Sequence, residues 1–68
     1  MKLGDLCRSR YTTAFYVSFR EDDHDRHGEL YPSDLLVYLG ESYAEFSKVA
    51  LVSNGKSGWT LRSFLEVL

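Results

Sequence analysis

The residues of this chain that could bind a metal are concentrated between positions 22 and 27. The sequence there reads DDHDRH, so carboxylates stand beside two imidazoles, His24 and His27. Such groups bind zinc or harder divalent ions. The segment nevertheless contains Arg26, has no cysteine, and lacks the glycine and the 12-residue spacing of a calcium loop. We therefore predict no metal site and no cofactor, and interpret the segment as a charged hairpin tip that protects a sheet edge.

Groups for nucleophilic catalysis are present but not in a recognisable arrangement. Cys7 could act as a thiol nucleophile with His24 or His27, and serine, histidine and aspartate all occur. There is no nucleophile elbow, and residues 54–57 lack the first glycine of a phosphate-binding loop. Cys7 follows Leu6 in a predicted strand, where cysteine commonly serves as a small core hydrophobe. We predict no catalytic residues and conclude that the protein is not an enzyme.

Size and charge exclude further classes of protein. The 68 residues form one predicted domain, residues 1–68, and a chain this short leaves little room for a deep cavity beside its core. Eight Lys and Arg against ten Asp and Glu give a net charge of −2, which disfavours nucleic acid and anionic membranes as partners. A lone cysteine and the absence of a long apolar run indicate a cytoplasmic protein with no membrane contact.

The first half of the chain predicts strands around a charged excursion. Residues 11–20 alternate with period two, which places Phe15 and Tyr16 on opposite faces of one strand. Residues 21–29 contain no hydrophobe and read as a solvated loop or hairpin tip. Residues 35–39 are apolar on both faces and are expected to form a central strand that Gly40 ends. Residues 41–46 fit a helical turn as well as a loop.

The second half predicts a hairpin and a final strand. Residues 48–52 form a β-branched run, and Asn54 and Gly55 supply the positive φ angles of a tight turn before a strand at 59–61. Residues 62–64 suit a short 3₁₀ turn that leads into a last strand at 65–68. The alternative is a C-terminal helix over 61–68, which would make the fold α+β. The residues predicted to form the core are Phe15, Phe19, Val37, Val49, Leu51, Trp59, Leu61, Phe64 and Leu65.

These segments together carry a resemblance to a known fold. The opening KLGDLCR at residues 2–8, the strand that stops at Gly40, the polar turn leading into Gly58 and Trp59, and the terminal LEV at 65–67 follow one pattern. This pattern resembles the small SH3-like barrels of bacteriophage and bacterial proteins. The resemblance implies an all-β, SH3-like barrel of about five strands with a long hairpin insertion after the first strand. It also implies binding rather than catalysis.

The aromatic residues are the strongest candidates for a binding surface. Ten rings, five of them tyrosine, exceed what one small core absorbs, and tyrosine and tryptophan are enriched at interface hot spots. Seven of the ten rings lie between Tyr11 and Tyr43, around the acidic hairpin. Negative charge at that hairpin suits a basic protein surface. The predicted partner-binding residues are Tyr16, Tyr31, Tyr38, Tyr43, Asp22, Asp23 and Asp25.

Two functional hypotheses remain. The first is a non-catalytic protein-interaction module, a small phage protein in the host cytoplasm that docks on a larger host or virion protein. The alternative is a small barrel associated with nucleic acid or the ribosome, in which Arg8, Arg10, Arg20 and Arg62 would face phosphates beside the tyrosines. The oligomeric state is left open.

Overall fold

The computed structural model describes residues 1–16 and 26–68, and within these the fold is all-β. The elements are β1 (Leu6–Ser9), β2 (Thr13–Tyr16), β3 (Arg26–Leu30), β4 (Leu36–Tyr43), β5 (Phe46–Leu51), β6 (Ser57–Leu61) and β7 (Leu65–Val67), with a 3₁₀ turn over Arg62–Phe64 between β6 and β7. The predictions for Phe19 and for residues 21–25 of the charged tip lie outside the described residues. The loop predicted over 21–29 is wrong for residues 26–29, which belong to β3 because this segment pairs with β2.

The strands form one antiparallel sheet that curls into a half-barrel. Their order is β3-β2-β6-β5-β4-β1-β7, so consecutive strands pair in the β2–β3, β4–β5 and β5–β6 hairpins. The first strand pairs with both β4 and β7. The expected number of about five strands is wrong, because the hairpin after β1 pairs into the same sheet and adds β2 and β3 to it. That hairpin joins the sheet where Tyr16 pairs with Trp59.

The end of the chain follows the predicted strand path. The 3₁₀ turn and the last strand confirm that prediction, and the alternative C-terminal helix is wrong. Leu65 is extended, with φ −85° and ψ 140°, and lies opposite Ser9 on β1. Burial of Leu65 in the core stabilises the strand, whereas a helix would lose the backbone pairing with β1.

A turn between β5 and β6 is confirmed, but of the two residues predicted to adopt a positive φ only Gly55 does so. Gly55 has a φ of +73° and its N–H donates to the carbonyl of Leu51 over 2.8 Å. The side chain of Asn54 accepts a hydrogen bond from the N–H of Lys56 over 2.9 Å, which closes the turn.

Strand β4, by contrast, does not end at Gly40. It continues to Tyr43, because Gly40 adopts a φ of +83° at an irregularity where the register with β5 shifts between Tyr38 and Ser42. The glycine thus bends the strand without ending it. The segment left open between helical turn and loop is part of the β4–β5 hairpin, which turns at Ala44 and Glu45.

The core lies on the inner face of the half-barrel. Three residues predicted to be buried, Phe15, Val49 and Leu65, are confirmed, and Cys7 is fully buried as expected. The other described members of the predicted core, Val37, Leu51, Trp59, Leu61 and Phe64, are only partly buried. The prediction missed Leu30 and Leu36. Leu36 is buried in place of Val37 because its partners across the sheet, Cys7 and Leu51, face inward.

Candidate functional site

A row of side chains crosses three neighbouring strands on the outer face of the sheet. Tyr16 on β2 lies opposite Trp59 on β6, and Trp59 lies opposite Lys48 on β5. Directly opposed residues in an antiparallel sheet project from the same face. Gly58 and Thr60, which flank Trp59, are buried, so Trp59 belongs to the opposite, outer face.

A second row lies beside the first. Phe46 on β5 is opposite both Tyr43 on β4 and Leu61 on β6. It stands two residues from Lys48, so the two rows share a face. The ring of Tyr16 reaches across β6 to contact Phe46 edge-on, with centroids 6.1 Å apart and planes at 88°. We call Tyr16, Tyr43, Phe46 and Trp59 the aromatic face.

The rings of the aromatic face remain accessible. Tyr43 is 66% exposed, and the other three are partly buried. A polar tip on an apolar ring allows such residues to bury area against a partner and still satisfy their hydrogen bonds. The face therefore has the composition of an interface hot spot.

A groove opens beside the aromatic face where β4 bends. It has a volume of about 510 Å³ and is lined by Gly40, Glu41, Ser42, Tyr43 and Trp59. The ammonium of Lys48 stands 6.0 Å from the centre of the Trp59 ring and 3.8 Å from Oε2 of Glu41. The site thus combines aromatic walls with one carboxylate and one ammonium.

Tyr38 lies apart from the aromatic face. It is partly buried and packs against the core, and its hydroxyl is 2.9 Å from Oγ of Ser42. The Ser42 hydroxyl lies in turn 3.2 Å from Oγ of Ser47, which is fully buried. This chain of hydroxyls anchors the bent part of β4 to β5 and stabilises the wall of the groove.

Tyr31 also lies elsewhere, in the connection between β3 and β4. Its backbone N–H donates to Oδ2 of Asp34 over 2.8 Å, and its side chain is 51% exposed. The structure therefore brings together two of the four predicted tyrosines, Tyr16 and Tyr43. The predicted acidic residues Asp22, Asp23 and Asp25 lie outside the described part of the chain.

Two members of the aromatic face were missed as interface residues. The sequence predicts Trp59 as a core residue and gives Phe46 no definite element. The available signal was the alternation along residues 46–51, which puts Phe46, Lys48 and Ala50 on one side. Serine at position 47 obscured it, because a fully buried hydroxyl is uncommon in a strand of this kind.

In the part of the chain that the structure describes, the remaining candidate groups serve the fold, whereas Arg20 and His24 lie outside it. Arg8 and Arg10 both contact the carboxylate of Glu66, and Nη2 of Arg62 donates to the carbonyl of Ala44 over 3.0 Å. Burial raises the pKa of the Cys7 thiol, and the charge of Asp5 raises it further, so the thiol is neutral at pH 7. Residues 1–16 and 26–68 contain no cluster of three metal-binding side chains.

Comparison with known proteins provides no relative. No family model, no curated protein sequence and no solved structure matches the chain. In the described residues, no helix has the length and apolar character needed to cross a membrane.

Proposed function

We propose that the chain is a non-catalytic protein-interaction module that docks on a larger protein through the aromatic face. One observation carries the proposal: Tyr16, Tyr43, Phe46 and Trp59 share the outer face of the sheet beside an open groove. A core would bury these rings. On this face Tyr43 is 66% exposed and the other three rings are only partly buried. Large rings clustered at a surface favour association with another protein.

An SH3-like fold is part of the proposal. Five strands, β7-β1-β4-β5-β6, are consecutive neighbours in the sheet. The other two, β2 and β3, form the hairpin between the first strand and β4, where the resemblance expects an insertion. In such folds this hairpin commonly borders the binding surface, and here it contributes Tyr16 to the aromatic face.

The setting of the proposed function rests on the sequence. The motifs shared with phage and bacterial barrels favour a bacteriophage product, and the single cysteine, Cys7, favours the reducing cytoplasm of a host cell. The partner would then be a host or virion protein larger than this chain.

Nucleic acid is the second candidate partner, because Trp59 and Tyr16 stand beside Lys48 and could stack on bases. The contacts of the arginines weigh against it. Three of the four arginines that would face phosphates, Arg8, Arg10 and Arg62, are engaged with Glu66 or with a backbone carbonyl. A salt titration separates the two candidates, since binding to single-stranded nucleic acid would weaken steeply with salt.

A capture experiment with two matched variants tests the proposed function. Tyr43→Ser removes an exposed ring from the aromatic face, and Tyr31→Ser removes a ring away from it that is also more than half exposed. We expect a protein from a bacterial lysate to be retained by the wild type and by Tyr31→Ser, and to be lost with Tyr43→Ser. Equal retention by both variants would contradict docking through this face.

A further inference from the structure

The position of Lys48 indicates which charge the groove accepts. Its ammonium lies 6.0 Å from the centre of the Trp59 ring and 3.8 Å from Oε2 of Glu41. The negative face of the indole and the carboxylate both attract a cation. The chain therefore already holds a positive group at the edge of the groove.

Lys48 makes only long contacts with the Trp59 ring and the Glu41 carboxylate. Both distances are near the upper limit for the interaction concerned, and Glu41 keeps 61% of its side chain exposed. The Lys48 side chain is 31% exposed, and an ion pair that water reaches from the Glu41 side contributes little to stability, so the ammonium can be displaced at low cost. The groove, at about 510 Å³, has room for a second side chain.

We propose that the groove binds an arginine side chain of the partner, with the guanidinium on the Trp59 ring and paired with Glu41 in place of Lys48. This inference rests on the proposed function and names the chemistry of the partner, a basic protein segment. A guanidinium is planar, so it can stack on an indole and still present two N–H groups to one carboxylate. An ammonium is a point charge that neither stacks on the ring nor pairs bidentately with the carboxylate, and an acidic group would meet Glu41 as a like charge.

The rest of the groove suits the stem of an arginine. Tyr43 supplies an apolar wall, and Gly40 contributes backbone to the lining. The stem of a long basic side chain packs on apolar surface while its charged end is paired. The net charge of −2 on the chain also attracts a basic partner.

A small probe tests the inference without the partner. N-acetyl-arginine methylamide is titrated into the ¹⁵N-labelled protein, and the isosteric but uncharged citrulline analogue is the matched control. We expect the arginine probe to shift the indole N–H of Trp59 and the amide of Glu41, and the citrulline probe to shift neither. Equal shifts with both probes, or no shift with arginine at high millimolar concentration, would overturn the proposal.

Two variants are expected to change the affinity for arginine in opposite directions. Glu41→Gln removes the carboxylate and is expected to weaken arginine binding by about threefold, the scale of an exposed ion pair. Lys48→Met keeps the unbranched stem, removes the competing cation and is expected to strengthen binding by about threefold. If the groove instead accepted anions, Glu41→Gln would strengthen binding of N-acetyl-glutamate and Lys48→Met would weaken it, which would overturn the proposal.

The same variants separate failure of this inference from failure of the proposed function. A partner that Tyr43→Ser loses but Glu41→Gln retains fully would contradict the arginine site and leave docking through the aromatic face intact. Arginine binding at Trp59 together with a partner that Tyr43→Ser retains would support the groove chemistry and contradict docking through this face.

Discussion

Gly58 lies against the backbone of Tyr16 with no space for a side chain between them. A Cβ atom at position 58 would collide with the carbonyl oxygen of Tyr16 and would stand only 2.9 Å from Cε1 of the buried Phe15 ring. Gly58 is not among the glycines with positive φ, so this close approach is the reason for the glycine. The contact joins β2 to β6 and thereby sets Tyr16 beside Trp59 on the outer face.

Substitution Gly58→Ala should therefore destabilise the protein by about 2 to 3 kcal/mol, because neither the Tyr16 backbone nor the Phe15 ring can move without cost. Urea unfolding followed by the fluorescence of Trp59, the single tryptophan, measures the change. Gly55→Asn is the control, since nothing lies within 4 Å of a Cβ there and asparagine tolerates positive φ. Equal losses in the two variants would contradict a steric role for Gly58.

The buried thiol of Cys7 should make stability depend on alkaline pH. Burial raises its pKa in the folded state above the ordinary 9.0, and the charge of Asp5 acts in the same direction. Above pH 9.0 the unfolded chain loses the thiol proton first, so its contribution to stability is intact below that pH and declines above it. The free energy of unfolding should consequently fall more steeply with rising pH in the wild type than in Cys7→Ala. Parallel pH profiles would contradict this.

The carboxylate of Glu66, which links β7 to β1, should contribute modestly to the free energy of unfolding. Glu66 lies opposite Arg8, and it contacts both Arg8 and Arg10, whose side chains are 51% and 55% exposed. Glu66→Gln should lower the free energy of unfolding by less than about 1 kcal/mol, because exposed ion pairs are weak. The loss should shrink in about 0.5 M NaCl, since salt screens such charges. A loss that salt leaves unchanged would indicate that packing, and not charge, is responsible.

The hydroxyl of Thr60 should stabilise the junction of β2 and β6. Thr60 is fully buried, and its Oγ1 donates to the carbonyl of Ala14 over 3.2 Å. Thr60→Val keeps the shape of the side chain and removes the donor, which should cost about 1 kcal/mol in thermal or urea unfolding. Thr12→Val, at an exposed position, should leave stability unchanged. Wild-type stability in Thr60→Val would show that the bond contributes nothing.

Features decided by neighbouring residues were predictable from the sequence. The turn before β6 depends on a positive φ at Gly55, which glycine adopts readily. The alternation around Phe15 and Tyr16 likewise predicts one ring inside and one outside, as observed. The β4–β5 hairpin carries no such signal, because its positive φ falls on Ala44, a residue that seldom adopts it.

Features decided by distant residues were not predictable. The sequence predicts Trp59 in the core, but its orientation follows from the buried positions of Gly58 and Thr60 on either side. Gly58 must in turn face inward because Phe15, more than forty positions earlier in the chain, fills the space beneath it. The candidate site therefore depends on the pairing of β2 with β6, which no local pattern in the sequence reveals.

The pairing of β1 with both β4 and β7 bears on how fast the chain folds. Arg8 and Glu66, which face each other across β1 and β7, are 58 positions apart. Nearly the whole chain must be gathered before these strands meet, and topologies of this kind fold in roughly milliseconds to seconds, well behind helical bundles of similar length. Until then β1 lacks a neighbour along one side. Each newly made molecule therefore passes through an interval in which the unpaired edge of β1 is open to proteases and chaperones, before the last strand covers it.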